Sequence, residues 1–341
     1  MPYPSRRQTV LLFAIVILLN LAVAVVSIFV GKYQIAPDEI LALLMGGDTV
    51  APMSAKVFFT LRLPRTVMAF LAGLGLGLAG SAYQVLFKNP LASPDIIGVA
   101  GGANLGAAVA VVMTSSSIPI MTLGAFWGGL AAVACVMLLV KATNSHSTST
   151  YVLAGIVINA ISKAMIMTLK YFADPENELA AMEYWEMGSF SNITQSKLLS
   201  ILPMFLMGLI GLLLLRRQVQ LMGLSDNECR ALGVRLRPVR AAVLILSTLL
   251  VASIVSVTGL ISFVGLIAPH TAKLMLRRNN SITLCLSGLT GGLVVMASDI
   301  FARTLYSAEL PISILTTVTG VPLLLYFMCI KRGPHERNFF Y

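Results

Sequence analysis

Charged residues are scarce in this sequence. Asp, Glu, Lys and Arg make up only 11% of the 341 residues, against about 25% in a typical soluble domain. Apolar residues reach 57%, and the mean hydropathy is +0.88. The composition therefore excludes a soluble globular enzyme, a disordered chain and a nucleic-acid-binding domain. Because one bilayer span needs about 20 apolar residues, the length indicates a single membrane domain, 1-341, with short loops.

Cysteine is also scarce, and motifs for metal or nucleotide chemistry are absent from the sequence. The four cysteines are Cys135, Cys229, Cys285 and Cys329. No two of them form a C-x-x-C pair, so we expect neither a disulfide nor a metal site. The sequence contains no G-x-x-x-x-G-K-S/T phosphate loop and no H-E-x-x-H zinc motif. We therefore expect a chain that is not an enzyme, binds no cofactor and does not hydrolyse ATP itself.

Long apolar runs, by contrast, are abundant. They lie near 10–30, 66–87, 96–113, 119–140, 151–172, 198–215, 239–257, 279–302 and 314–330. The stretch 239–276 is too long for one span and short for two, and Gly259, Gly265 and Pro269 interrupt it. We interpret it as a full helix followed by a short or broken return, which needs protein or water around it at membrane depth. The prediction is an all-α polytopic membrane protein with ten transmembrane helices, one of them short or broken.

The distribution of Lys and Arg predicts the orientation. With the N-terminus inside, 16 of the 24 Lys and Arg residues and only 4 of the 14 acidic residues lie on the inner side. An excess of Lys and Arg in cytoplasmic loops sets membrane topology. We therefore expect both termini to be cytoplasmic.

The longest inner loop, 216–240, contains a well-marked short helix. Ser225 and Glu228 have the spacing of a capping box, in which each side chain bonds the other residue's backbone amide. Gly233 suits the position that follows a helix C-terminus. The pattern predicts a helix over 226–232 that docks a cytoplasmic partner. The alternative is a basic loop that contacts anionic lipid.

Three arginines lie on the outer side, where Lys and Arg are depleted. They are Arg62, Arg65 and Arg303. Guanidinium groups pair with carboxylates through two parallel hydrogen bonds, so these residues suit an acidic partner. The alternative is that they extend toward the membrane surface from interfacial positions. Asp299 and Arg303 are also spaced for an ion pair within one helix.

Four polar or flexible side chains are candidates for a transport pathway. Asn159, Lys163 and Lys170 share one helix face by spacing. A charged lysine at the depth of Lys163 costs free energy in a membrane, so its presence indicates a function. Met167 offers a flexible surface for a bulky ligand, and Gln84 precedes the Asn-Pro turn after the second helix. Packing is the alternative for Met167 and Gln84, and extension toward the interface is the alternative for Lys163.

Six motifs in order resemble one family. They are Arg62-Leu-Pro-Arg65, Gln84 with Asn89-Pro-Leu-Ala92 and Pro94, Ala231-Leu-Gly233, Phe263-Val-Gly-Leu with Pro269-His270, Asp299 with Arg303, and Glu309-Leu-Pro311. Together they resemble the permease subunit of iron–siderophore and vitamin B12 ABC importers, the FecCD type. Lys273 departs from the family pattern, which usually has arginine at this position.

The resemblance implies a set of partners and roles. A second permease, as a homodimer or heterodimer, two ATP-binding cassette subunits that use ATP, and an extracytoplasmic substrate-binding protein would join this chain in a bacterial cytoplasmic membrane. Ala231, Leu232 and Gly233 would belong to the coupling helix that meets the ATPase. Arg62, Arg65 and Arg303 would receive acidic residues of the binding protein. Besides these partners we expect contact with membrane lipid and none with nucleic acid.

The expected cargo is a metal chelate, with a ferric siderophore as the first choice. Vitamin B12 or haem is the alternative within the family. An ion-coupled secondary transporter without an ATPase is the alternative from another class. That class needs acidic residues inside the membrane, and only Asp299 qualifies.

Overall fold

The computed structural model describes residues 4–45, 51–114, 117–143, 147–277 and 279–329. Within these ranges the chain is helical and forms no β-strand. The α-helices are α1 (Arg6–Phe29), α2 (Pro37–Leu44), α3 (Pro52–Val57), α4 (Leu63–Leu86), α5 (Val99–Thr114), α6 (Ile118–Ala142), α7 (Thr148–Phe172), α8 (Ala180–Met187), α9 (Gln195–Leu214), α10 (Arg216–Leu221), α11 (Asp226–Ala231), α12 (Leu236–Thr258), α13 (Val264–Leu276), α14 (Ser281–Thr304) and α15 (Ile312–Cys329). Both termini lie outside the described residues.

Seven helical stretches of the described chain are long and apolar enough to cross a membrane. They are α1, the continuous stretch Pro52–Leu86 that ends with α4, α6, α7, α9, α12 and α14. Three shorter apolar helices, α5, α13 and α15, accompany them. Each apolar segment predicted from the sequence overlaps one of these helices, so the all-α polytopic prediction is confirmed. The count of ten crossings stays a prediction.

Glycines set the distance between the central helices. A Cβ atom on Gly73 of α4 would overlap the carbonyl group of Gly291 in α14, and one on Gly77 would overlap the Ser287 carbonyl. Small residues let helix backbones approach closely in a membrane, where packing rather than hydrophobicity drives association. The resulting core extends through α4, α12 and α14, and α4 is buried along most of its length.

Residues 259–263, here called the break, separate α12 from α13. The backbone beside the break is satisfied by protein. Ser189 N–H donates to Thr258 O at 2.7 Å, and Ile312 N–H donates to Gly188 O at 3.0 Å. Irregular backbone survives at membrane depth only under such conditions. The predicted short return is α13, which spans 13 residues.

The two ends of the bundle differ in their charged groups. We call the end that carries α10, α11 and the start of α12 the basic end. Lys88, which follows α4, reaches Asp226 of α11 there. The three outer arginines lie at the opposite end, where α4 begins and α14 finishes. Helices α2, α3, α8 and α10 have eight residues or fewer and were not predicted, because a search for spans detects only long apolar runs.

Candidate functional site

The short helix α11 has both sequence-predicted caps. Ser225 Oγ accepts a hydrogen bond from Glu228 N–H at 3.3 Å, and Glu228 Oε2 accepts one from Ser225 N–H at 2.8 Å. Gly233 has φ +78, a left-handed conformation that suits glycine after a helix end. The predicted helix and its capping box are confirmed, with the helix one residue shorter than expected. Ala231, Leu232 and Gly233 are exposed and form its tip.

Asp226 fixes α11 to two spanning helices. Its Oδ1 atom lies 2.8 Å from Arg240 Nη2 in α12 and 3.3 Å from Lys88 Nζ after α4. Partial burial opposes ionisation of Asp226, but Arg240 and Lys88 outweigh it and hold the carboxyl pKa below its ordinary value. Cys229, fully buried and nearly one turn further along α11, has its Sγ 3.0 Å from Leu221 O. The helix is therefore held at two positions one turn apart, and its tip stays exposed.

At the opposite end, Arg65 bridges two carboxylates. Arg65 Nη2 lies 2.8 Å from Asp299 Oδ1, and Arg65 Nη1 lies 2.9 Å from Glu309 Oε2. Arg303 Nη2 lies 3.4 Å from the other oxygen of Asp299, which confirms the ion pair expected from their spacing. Arg65 is mostly buried and Asp299 almost entirely so. This network ties α4 to α14 and to the segment before α15.

Arg62 and Arg303 also bond the end of α1. Arg62 Nη1 donates to Ile28 O at 3.0 Å and Nη2 donates to Tyr33 O at 2.5 Å. Arg303 Nη1 donates to Val30 O at 3.1 Å. Both guanidinium groups are buried, so they satisfy carbonyl groups left free where α1 ends. In this structure the donors of Arg62 and Arg303 serve carbonyl groups of the chain itself. Docking through them stays a prediction.

Gln84 lies in a buried polar cluster between α4 and α13. Lys273 Nζ donates to Gln84 Oε1 at 3.0 Å, and His270 Nδ1 lies 2.8 Å from Leu266 O. Gln84 and Lys273 are both buried. Gln84 is therefore bonded within the chain, and its contact with a transported ligand stays a prediction. Lys273, the departure from the family pattern, serves as the donor that satisfies the buried amide.

The remaining pathway candidates lie on α7. Asn159 Nδ2 donates to the backbone carbonyl of Asp95 in the loop between α4 and α5. Lys163 and Met167 are exposed. Lys170 Nζ lies 2.7 Å from both Glu183 Oε1 and Glu186 Oε2 of α8. The structure therefore places Lys163 and Met167 on the outside of the chain and half-buried Asn159 against the loop that precedes α5.

A cavity of about 270 Å³ lies beside the Asp95 backbone that Asn159 contacts. It lies between the loop that joins α4 to α5, which includes Ser93 and Asp95, and the break. Leu260 and Ser262 of the break are among its lining residues. Non-helical backbone from two parts of the chain thus meets at one cavity. Among the described residues, no group of three or more His, Cys, Asp or Glu side chains is arranged to hold a metal ion.

A bundle with spanning-length helices, a membrane-depth break and a capped surface helix defines a multi-pass membrane transport subunit. The chain belongs to the FecCD transport family, whose model matches residues 16–330. The resemblance stated from the motifs is therefore confirmed. Membership makes the chain a permease subunit of the ABC-importer type, integral to a membrane, rather than an enzyme.

Known relatives are named for different cargoes. The molybdate import system permease MolB of Haemophilus influenzae is 35% identical, over 95% of this chain and 96% of the relative. The hemin transport permease HmuU of Yersinia pestis is 33% identical, over 81% of this chain and 84% of the relative. The Fe(3+)-citrate import permease YfmE of Bacillus subtilis is 32% identical, over 95% and 97%.

A solved structure agrees with the fold. It is described as an inward-facing conformation of a putative metal-chelate type ABC transporter. The TM-score is 0.84 and the identity 33%, and the match covers 93% of this chain and 98% of the other.

Proposed function

We propose that this chain is the permease through which an ABC importer brings a metal chelate, foremost a ferric siderophore, across a bacterial cytoplasmic membrane. A second permease, two ATP-binding cassette subunits and an extracytoplasmic binding protein complete the importer. ATP is used by the cassette subunits and not by this chain. The observation that carries the proposal is α11, capped at both ends, held by Asp226 and exposed at its tip.

The mechanism follows from how α11 is attached. Closure of the ATPase subunits would move the tip formed by Ala231, Leu232 and Gly233. Asp226 would pass that movement to Arg240 at the start of α12 and to Lys88 at the end of α4. Because α4 packs on α14 through glycines, these helices would move together and open the pathway to alternate sides.

The arrangement of Asp299 disfavours an ion-coupled secondary transporter. Such a protein needs an intramembrane acid that is free to gain and lose a proton or cation. Asp299 is held by Arg65 and Arg303. Both guanidinium groups already occupy this carboxylate as ion-pair partners, so it does not suit a coupling role.

Uptake by intact cells tests the proposal and identifies the cargo. Radiolabelled ferric siderophores, ferric citrate, haem, cobalamin and molybdate would be supplied to cells with the gene, without it and with it restored. We expect one of the chelates to require the gene and its uptake to stop when a partner ATPase is inactivated. Uptake of all probes at normal rates without the gene would contradict the proposal. Uptake that survives ATPase inactivation and stops with an ionophore would favour the secondary transporter.

A further inference from the structure

Lys163 lies near the middle of α7, far from both ends of the helix. At 1.5 Å per residue, α7 is roughly 37 Å long and Lys163 lies about 4 to 5 Å from its midpoint. If α7 is centred in hydrocarbon about 30 Å thick, roughly 10 Å separates its Cα from the nearer boundary. That boundary lies toward the C-terminus of α7, whereas side chains leave a helix tilted toward its N-terminus. Extension to the interface is therefore a poor explanation for Lys163.

The neighbours of Lys163 on the same helix face show where this face points. Asn159, one turn earlier, donates to the backbone carbonyl of Asp95, and Asp95 lines the 270 Å³ cavity. Lys170, two turns later, is paired with Glu183 and Glu186 of α8. Ser189, which follows α8, donates its N–H to Thr258 O at the α12 side of the break. Lys163 thus lies on the face that runs from the cavity to α8.

The two lysines of this face differ in their partners. Lys170 has two carboxylate partners, each at 2.7 Å. Lys163 makes no hydrogen bond or ion pair with any residue that the structure describes, and it is exposed. Asp299, the acid within a spanning helix of the described chain, is already bound to Arg65 and Arg303. No described carboxylate of this chain neutralises the Lys163 ammonium.

An ammonium group at this depth cannot face lipid cheaply, so this face of α7 requires water or an anion beside it. In an importer, the compartment that supplies both is the transport pathway. A cargo with negative charge on outward-facing oxygen atoms would supply the missing partner.

We propose that Lys163 determines cargo specificity by attracting an anionic complex whose surface carries carboxylate or other charged oxygen atoms. The binding of neutral complexes is not strengthened by the Lys163 charge. This inference rests on the proposed permease function and adds the charge of the cargo. A metal chelate of carboxylates and a simple oxyanion share this chemistry, and the experiment separates them.

The experiment measures ATP-dependent uptake by the complete importer in proteoliposomes. The probes are ferric citrate, which is anionic, molybdate, which is an oxyanion, and a neutral ferric trihydroxamate. The variants are Lys163→Met, which keeps the length and removes the charge, and Lys163→Arg, which keeps the charge. Ile161→Met is the matched control, because Ile161 is also exposed on α7 but lies on the opposite face by spacing.

We expect Lys163→Met to raise the KM for the anionic probe that the importer carries by at least about tenfold, the loss expected for one hydrogen bond to a charged group. Lys163→Arg and Ile161→Met would behave as the wild type. Uptake of the neutral probe, if it is carried, would not change. ATPase stimulation by the binding protein would report correct assembly, and Lys163→Gln would replace Lys163→Met if that variant fails to assemble.

Several results would overturn the inference. Normal uptake of the anionic probe by an assembled Lys163→Met importer would do so, as would an equal loss in Lys163→Arg. Exclusive transport of neutral or cationic complexes would also do so. In each of these results ATP-dependent uptake remains, so the permease proposal survives. If the wild-type complex takes up none of the probes, that result would instead contradict the permease proposal.

Discussion

The Asp226 carboxylate and the Arg240 guanidinium join the surface helix α11 to the start of α12, with Oδ1 and Nη2 2.8 Å apart. The same oxygen accepts a hydrogen bond from Lys88. Arg240 is buried whereas Asp226 is partly exposed. One carboxylate therefore connects the capped helix to two membrane helices that are far apart in sequence.

Asp226→Asn tests whether this connection transmits movement. The amide removes the charge with little change of shape, so α11 keeps its capping box but loses its ion pairs. We expect ATP hydrolysis by the assembled importer to continue while uptake falls severalfold. Both rates would be measured on the same proteoliposomes. Asn227→Ala, an exposed change on the same helix, serves as the control. A parallel loss of both rates would point to failed assembly instead of lost transmission.

The pKa of Asp226 predicts how pH affects this connection. Arg240 and Lys88 lower the carboxyl pKa from its ordinary value of 3.8 despite partial burial. A lowered folded-state pKa means that the stabilisation is complete above the unfolded-state pKa and is lost as pH falls through the folded-state value. The wild type should therefore be more stable than Asp226→Asn by a constant margin down to about pH 5, with the margin shrinking below pH 3.8. Thermal unfolding in detergent across this range would measure it, and a margin that grows on acidification would contradict the prediction.

Arg65→Met should destabilise the fold. The change leaves the buried Asp299 with Arg303 as its remaining ion-pair partner and leaves Glu309 without its guanidinium. Removing one partner of a buried ion pair costs about 3 to 5 kcal/mol, and the second partner of Asp299 should hold the loss toward the lower end. Unfolding in detergent would measure the loss. Arg65→Met combined with Asp299→Asn should cost less than the sum of the single changes, because the buried charge is removed too.

Binding-protein docking can be separated from this structural effect. Arg65→Lys keeps one positive charge at the position but loses the simultaneous contacts of the guanidinium group with Asp299 and Glu309. If docking depends on charge, the binding protein should retain most of its affinity for an assembled Arg65→Lys importer. A variant that folds, assembles and still loses docking would support a direct contact at this residue.

A pair of identical glycine substitutions tests the packing of the central helices. Gly73→Ala would place a methyl group against the Gly291 carbonyl, which is backbone and cannot move easily. Overpacking of this kind costs about 1 to 3 kcal/mol. Gly129→Ala meets ordinary contacts of 3.4 Å or more, to Ala252 Cβ and Val99 O among others, so it should be neutral or slightly stabilising. Thermal unfolding of both variants would compare them, and equal effects would contradict the close approach.

The features that sequence predicted correctly are local ones. The Ser225–Glu228 capping box depends on residues three apart, and the break depends on glycines within one stretch. The Asp299–Arg303 pair likewise needs only one helical turn. The short helix α8 was missed because eight residues form no long apolar run.

The contacts of the arginines with backbone carbonyls could not be predicted from the sequence. Arg62 donates to backbone carbonyls at Ile28 and Tyr33, and Arg303 donates to one at Val30. A backbone carbonyl leaves no trace in residue type, so the sequence pattern could not show these acceptors. Arg65 is different, because both of its partners are acidic residues that the sequence displays. Their convergence depended on how α4 and α14 pack.

The exposed tip of α11 carries the last prediction. Leu232 is 59% exposed although it is a large apolar residue, and it follows a helix whose other contacts hold it in place. An apolar side chain on a fixed helix is suited to enter a groove of a partner. Leu232→Glu should therefore abolish co-purification of the ATPase subunits, whereas Leu232→Met, which keeps size and polarity, should retain it. Leu41→Glu places the same charge at a similarly exposed leucine of α2, at the opposite end, and should leave the complex intact. Loss of the complex in both glutamate variants would indicate general damage, and retention in both would remove Leu232 from the ATPase contact.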